Sequence, residues 1–217
     1  MNKAMAIGMV MALAGAAQAQ TTLWDQSQLD WNASGFYNSI SGSPPFGSTV
    51  YTVADVTVPA GGWTMTSISM YYSQILGDWS QSVTQGRLYV QPKTGAMPTI
   101  NPGGSLIPMS AVLFFDPIVQ QAYAEVTASG LSIPLAAGEY WIGITPSAAA
   151  GPWGPELGIA SANPTGTNSR SFAVGGFPSG WQDTTVDAAI KIRGIPTPGT
   201  LGLLAMGSLA AVRRRRA

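Results

Sequence analysis

The sequence predicts an all-β protein, a β-sandwich of jelly-roll type, and three observations carry that expectation. Apolar and polar residues alternate with a two-residue period in several short windows. Gly, Pro, Asn, Asp and Ser bound each window, as turns bound the strands of a sandwich. Between the two apolar ends, no window of about 11 residues or more shows a clean helical period.

The elements follow in order. Residues 50–58 read Val-Tyr-Thr-Val-Ala-Asp-Val-Thr-Val, with Val56 and Val58 alternating against Asp55 and Thr57. Pro59-Ala60-Gly61-Gly62 is a turn signal. Residues 63–71, from Trp63 to Tyr71, resume the strand rhythm, which places Trp63 in the core. Further strands are expected at 87–91, 122–127, 131–135, 140–145 and 188–192. Trp141 falls inside one of these and is also expected in the core. Residues 40–48 and 95–104 are rich in Pro, Gly and Ser and read as loops. The long stretch 145–170 has few strand signals, and no repeat of fixed period is present.

Composition narrows the chemistry. The chain has 217 residues, one domain by length, with only 9% charged residues and neither His nor Cys. Without His there is no Ser-His-Asp triad and no imidazole metal site. Without Cys there is no thiolate nucleophile, disulfide or iron–sulfur cluster.

The two ends carry address-like patterns. Residues 1–19 comprise a short basic start with Lys3, an apolar run from Ala4 and the small-x-small sequence Ala17-Gln18-Ala19. This is the order of a secretory signal peptide, a short apolar helix removed after Ala19 to leave Gln20 first. A buried N-terminal helix is the alternative. Residues 196–217 hold Pro196-Thr197-Pro198, an uncharged run from Leu201 to Val212, and the cluster Arg213, Arg214, Arg215 and Arg216. The apolar run alone is shorter than the ~17–25 residues a spanning helix needs.

That tail resembles the C-terminal sorting signal of PEP-CTERM proteins: a Pro-x-Pro box, a Gly-Leu-Ala-rich helix and a terminal Arg cluster. The family box has Glu between its prolines, where this chain has Thr197. The resemblance implies an exosortase-like partner, a membrane cysteine transpeptidase that recognises the box. It also implies contact with the membrane through the C-terminal helix before processing. A tail anchor that is never cut is the alternative.

Removing both ends leaves a domain at 20–195 with five Lys/Arg and ten Asp/Glu, so its net charge is 5 − 10 = −5. An acidic domain is not expected to bind nucleic acid, whose phosphates reward basic patches. Within it, the segments 52–63, 137–144 and 187–194 resemble strand signatures of exported β-sandwich domains that precede such sorting tails. The first of these commonly reads Ala-Asp-Asp-Phe, and Val56 here stands in place of the second Asp. The resemblance implies an exported surface or extracellular-matrix protein, structural or adhesive within surface polymer or biofilm, and not an enzyme.

Two other readings compete. Trp79, Trp153 and Trp181 lie in Gly/Pro-rich contexts and are expected to expose rings that stack on sugars, as in a polysaccharide-binding module. A His-free glycoside hydrolase or lyase would need two facing carboxyl groups, with Glu125, Glu139 and Glu156 as candidates. No cofactor is expected. Calcium would draw on Asp25, Asp30, Asp55, Asp183 or Asp187, but the spacing of a calcium loop is missing, and solvated turn aspartates are the favoured reading.

Overall fold

The computed structural model describes residues 20–33, 35–40, 49–74, 79–102, 106–148, 157–174 and 180–197. In chain order the strands are β1 (Thr21–Asp25), β2 (Leu29–Asp30), β3 (Phe36–Tyr37), β4 (Thr49–Val58) and β5 (Trp63–Ser73). After a 3-10 turn at Ser80–Ser82 come β6 (Val83–Pro92), β7 (Ile107–Pro108), β8 (Ser110–Asp116), β9 (Gln121–Ala128) and β10 (Ile133–Leu135). The remainder are β11 (Gly138–Ala148), β12 (Leu157–Gly158), β13 (Ala160–Ser161), β14 (Arg170–Val174), β15 (Gly180–Asp183) and β16 (Ile190–Pro196). No α-helix occurs among the described residues, and the two predicted end helices lie outside them.

All strand pairings among the described residues are antiparallel, and two large sheets result. The first is organised around β5. On one side β16 pairs with it from Pro196↔Trp63 to Ile190↔Met70, and β12 continues the edge at Gly158↔Tyr72. On the other side β10 and then β9 pair with β5, and β8 pairs with β9. The second sheet has the order β15-β14-β4-β11-β6-β7. This all-β, antiparallel architecture is consistent with the sandwich that the alternation predicts.

The pleat explains how the sheets share a core. Successive side chains in a strand point to opposite faces. On β4, Ala54, Val56 and Val58 enter the common core, and on β11 so do Ile142 and Ile144. They meet Met65, Ile68, Met70 and Tyr72 of β5, Ala124 and Val126 of β9, and Ile190 and Ile192 of β16. Trp63 is buried with them, and Trp141 is wholly buried on the opposite face of β11.

A buried amide ties the two sheets together. Asn38 donates to the Ile144 carbonyl and to the Tyr72 hydroxyl, both at 2.8 Å. Its own oxygen accepts from the Thr145 hydroxyl at 2.7 Å and the Thr52 N–H at 3.2 Å. Burial of this kind raises the Tyr72 hydroxyl pKa well above its usual value, so it stays neutral and donates.

Every predicted strand has a counterpart, most of them longer than the alternation indicated. The sequence pattern missed β1, β8, β14 and β15, together with the two-residue strands β2, β3, β7, β12 and β13. β8 is a nearly continuous apolar run, which the two-residue template does not register. The stretch 145–170 holds the end of β11 and the two-residue strands β12 and β13. At the other boundary, β16 carries the sheet through Pro196, and Thr197 N–H still donates to the Gly62 carbonyl at 3.0 Å. β16 thus reaches past position 195, where the domain boundary is expected.

Candidate functional site

The face of the second sheet that points away from the core gathers aromatic and charged side chains. Register places Asp55, Trp141 and Gln91 in one row across β4, β11 and β6. A neighbouring row sets Asp183 of β15 opposite Arg170 of β14, and Arg170 opposite Val53. The next sets Trp181 opposite Phe172, and Phe172 opposite Tyr51.

Trp141 is the floor of this face. The Lys93 ammonium lies 5.0 Å from its ring centre and the Arg170 guanidinium 5.6 Å, within range for cation–π attraction. Each cation is held by carboxylates: Lys93 by Asp55 at 2.6 Å and Glu139 at 3.6 Å, Arg170 by Asp183 at 3.2 Å. Arg170 also donates to the Ala96 carbonyl at 3.1 Å, which draws the loop after β6 onto the sheet.

An aromatic cluster adjoins them. The rings of Trp181 and Tyr89 are 5.4 Å apart, and Trp181 and Phe172 are 5.2 Å apart. β15 and β6 stand four steps apart in the sheet order, which is about 19 Å at ordinary strand spacing. The sheet therefore curls and the two side chains reach toward each other over its outer face. Burial pushes the Tyr89 hydroxyl up to about 12, so it remains a neutral donor, here to the Ile100 carbonyl at 2.6 Å. Among the described residues, the indole N–H groups of Trp181 and Trp141 have no hydrogen-bond partner.

Two buried acids fasten the loop before β14 to this face. Asp55 accepts from the backbone N–H and hydroxyl of Thr167, both at 2.9 Å. Asp187 accepts from Thr165 N–H at 3.0 Å, from Gln26 at 3.3 Å and from the Ser169 hydroxyl at 3.4 Å. Gly166 sits between those contacts at φ +75°, where a Cβ would lie 2.5 Å from Asp55 Oδ2. Only glycine fits that turn. Burial first, and the neighbouring Asp55 second, push Asp187 up from 3.8 to about 6.

The expected site residues distribute unevenly. Trp181 belongs to the cluster but is half-buried rather than freely exposed. Trp79 is a correction: only 3% of it is accessible, and its ring packs edge-on against Tyr72 at 5.8 Å. Its Gly-Asp-Trp-Ser context reads as a loop, yet the Trp79 ring belongs to the hydrophobic core. Trp153 and Glu156 lie outside the described residues, as do Ala17, Ala19, Pro198 and Arg213 to Arg216. Gln20 donates to the Thr66 and Ser67 hydroxyls at 2.7 and 3.0 Å.

The acids split by sheet. Glu139 stands on the outer face of the second sheet, beside Lys93, whereas Glu125 lies on β9 of the first, opposite Tyr71 and Val112. Asp25, Asp30 and Asp183 accept backbone N–H bonds two residues on, from Ser27, Asn32 and Thr185, as turn aspartates do. Asp55 and Asp187 depart from the solvated reading, since both are buried. Among the described residues no group of three or more acidic side chains could hold a metal ion. Sequence reasoning missed the roles of Lys93, Arg170 and Asn38, because each depends on strands distant in the chain.

No protein-family model matches this chain, and neither the curated proteins nor the solved structures contain a match to it.

Proposed function

We propose that this chain is an exported bacterial surface or extracellular-matrix protein, structural or adhesive in role, built on a jelly-roll-like sandwich. A PEP-CTERM-like C-terminal signal sorts it, and an exosortase-like enzyme processes it. One observation carries most weight in support. β16 runs to Pro196, and the exposed Pro196 and Thr197 leave the sheet directly at the Gly62 turn. The first two residues of the box, Pro196 and Thr197, are thus exposed where the last strand ends.

Mass spectrometry of the protein from its native host tests this reading. The expected species starts at Gln20 and lacks Arg213 to Arg216. A C-terminus still ending in the arginine cluster overturns processing and leaves a tail anchor.

The aromatic cluster supports a second reading, a polysaccharide-binding module. Trp181, Tyr89 and Phe172, each half-buried, cluster their rings on the outer face of the second sheet, and partly exposed rings of this kind suit the apolar faces of sugars. A glycan array is expected to give binding that Trp181→Ala abolishes. Binding indifferent to that substitution, or no binding at all, counts against it.

A further inference from the structure

Sheet edges expose unpaired backbone groups, and proteins blunt them with short strands, proline or charge. Most edges here follow that rule. β3 and β7 have two residues each, and β7 and β10 contain Pro108 and Pro134. β15 ends in Gln182 and Asp183, and β1 carries Thr21, Thr22 and Asp25, the last bound to Lys191 at 3.0 Å. β8 is neither short nor interrupted by proline, and its one charge, Asp116, stands at its end. Its seven residues, Ser-Ala-Val-Leu-Phe-Phe-Asp, pair only with β9 among the described residues, and no charge interrupts them before Asp116.

Both faces of β8 are apolar and open to water. Val112 and Phe114 lie on one face, 55% and 40% exposed, and Leu113 and Phe115 on the other, 46% and 59% exposed. Ile118, at the tip of the β8–β9 hairpin, is 90% exposed. The edge is held rigid. Phe114 stacks on Tyr123 at 5.3 Å, and Asp116 accepts from the Trp31 indole at 3.0 Å and from Ile118 N–H at 2.9 Å. An edge already ordered loses little entropy on pairing.

We propose that β8 is a self-association edge, on which a second copy of this chain pairs antiparallel about a two-fold axis through Leu113. In that register Leu113 faces its counterpart, Val112 faces Phe114, Ala111 faces Phe115, and Ser110 faces Asp116. Every apolar side chain meets an apolar one, and the single carboxylate meets a hydroxyl-bearing residue. Centring on Phe114 would set Asp116 against Val112, and centring on Val112 would set it against Pro108, which has no N–H to donate.

Pairing would extend the sheet with backbone hydrogen bonds along the seven residues of β8 and bring Val112, Leu113, Phe114 and Phe115 beside their counterparts, so part of their exposed apolar area is covered in both copies. A two-fold axis consumes the edge in both copies, so the product is a closed dimer joining two sheets rather than a fibre. This inference stands independently of the sorting reading.

Leu113→Lys and Leu113→Glu test it, because position 113 alone faces itself across the axis. Sedimentation velocity of the purified full chain is expected to show a dimer. Each single variant should weaken it by about 100-fold or more, through like charges directly opposed. Equimolar mixing of the two variants should restore the dimer, because Lys then faces Glu. Leu113 is half-exposed, and near-ultraviolet circular dichroism will report whether both variants keep the fold. A wild-type monomer overturns the proposal, as does association unchanged in both variants, which would place the contact elsewhere. Monomer that instead binds phosphatidylglycerol vesicles, and loses them in Leu113→Glu, assigns the patch to lipid and overturns it too.

Discussion

Asp187→Asn converts one buried acid of the loop anchor into an amide of the same shape, and its effect is readable in the pH dependence of stability. Asp187 is 4% exposed, and burial together with Asp55 pushes its proton affinity up to about 6 from 3.8. Between those two values the folded chain holds a proton that the unfolded chain has released. Stability from this group therefore falls as pH rises through that window, and the full penalty is present above about 6. A shift of about two units corresponds to about 3 kcal/mol. Asparagine has no proton to lose. Its oxygen still accepts from Thr165 and Gln26, and its amide can donate to the Ser169 hydroxyl. Urea unfolding at pH 4 to 8, followed by tryptophan fluorescence, measures the difference. Wild type should lose about 3 kcal/mol relative to the variant between pH 4 and 7. Parallel stability curves for the two proteins would refute the reasoning, since Asp187 would then ionise without cost.

Other expectations rest on separate parts of the molecule. Asn38→Ala strands the Thr52 N–H and the Thr145 hydroxyl inside the core and should cost at least about 3 kcal/mol in urea unfolding. Gly166→Ala combines a left-handed backbone with a Cβ 2.5 Å from Asp55, and should lower Tm by about 6 °C. Gly95→Ala is its control, because nothing lies within 4 Å of the added methyl, and its Tm should not move. Lys93→Met keeps the alkyl stem but leaves Asp55 without its ammonium partner. A loss of about 3 kcal/mol is expected in thermal or urea melts.

The strands were largely legible because their cause is local. Alternation along residues 50–58 records which side chains face a core, and the glycine and proline turns record where the chain reverses. The same logic failed at β8, whose apolar residues line both faces of an edge, so no alternation marks it. It failed differently at Trp79, where the loop signal was read correctly but exposure did not follow from it. The candidate site was legible only in part. Trp181 stood out as an aromatic in a turn-rich context, but Lys93 and Arg170 gave no local hint that they converge on Trp141.

By itself the sequence determined the all-β class, the core position of Trp63, the burial of Trp141, and the acidic balance of the domain between its two apolar ends. Those properties follow from periodicity and composition, which each residue carries alone. Only the tertiary structure decided which acids are buried, which tryptophan is covered, and which edge stays unprotected. Asp55 and Lys93 are 38 residues apart, and Gln26 and Asp187 are 161 apart. Such pairs exist only once the sheets have formed, because strand order sets them and nothing in the local sequence does.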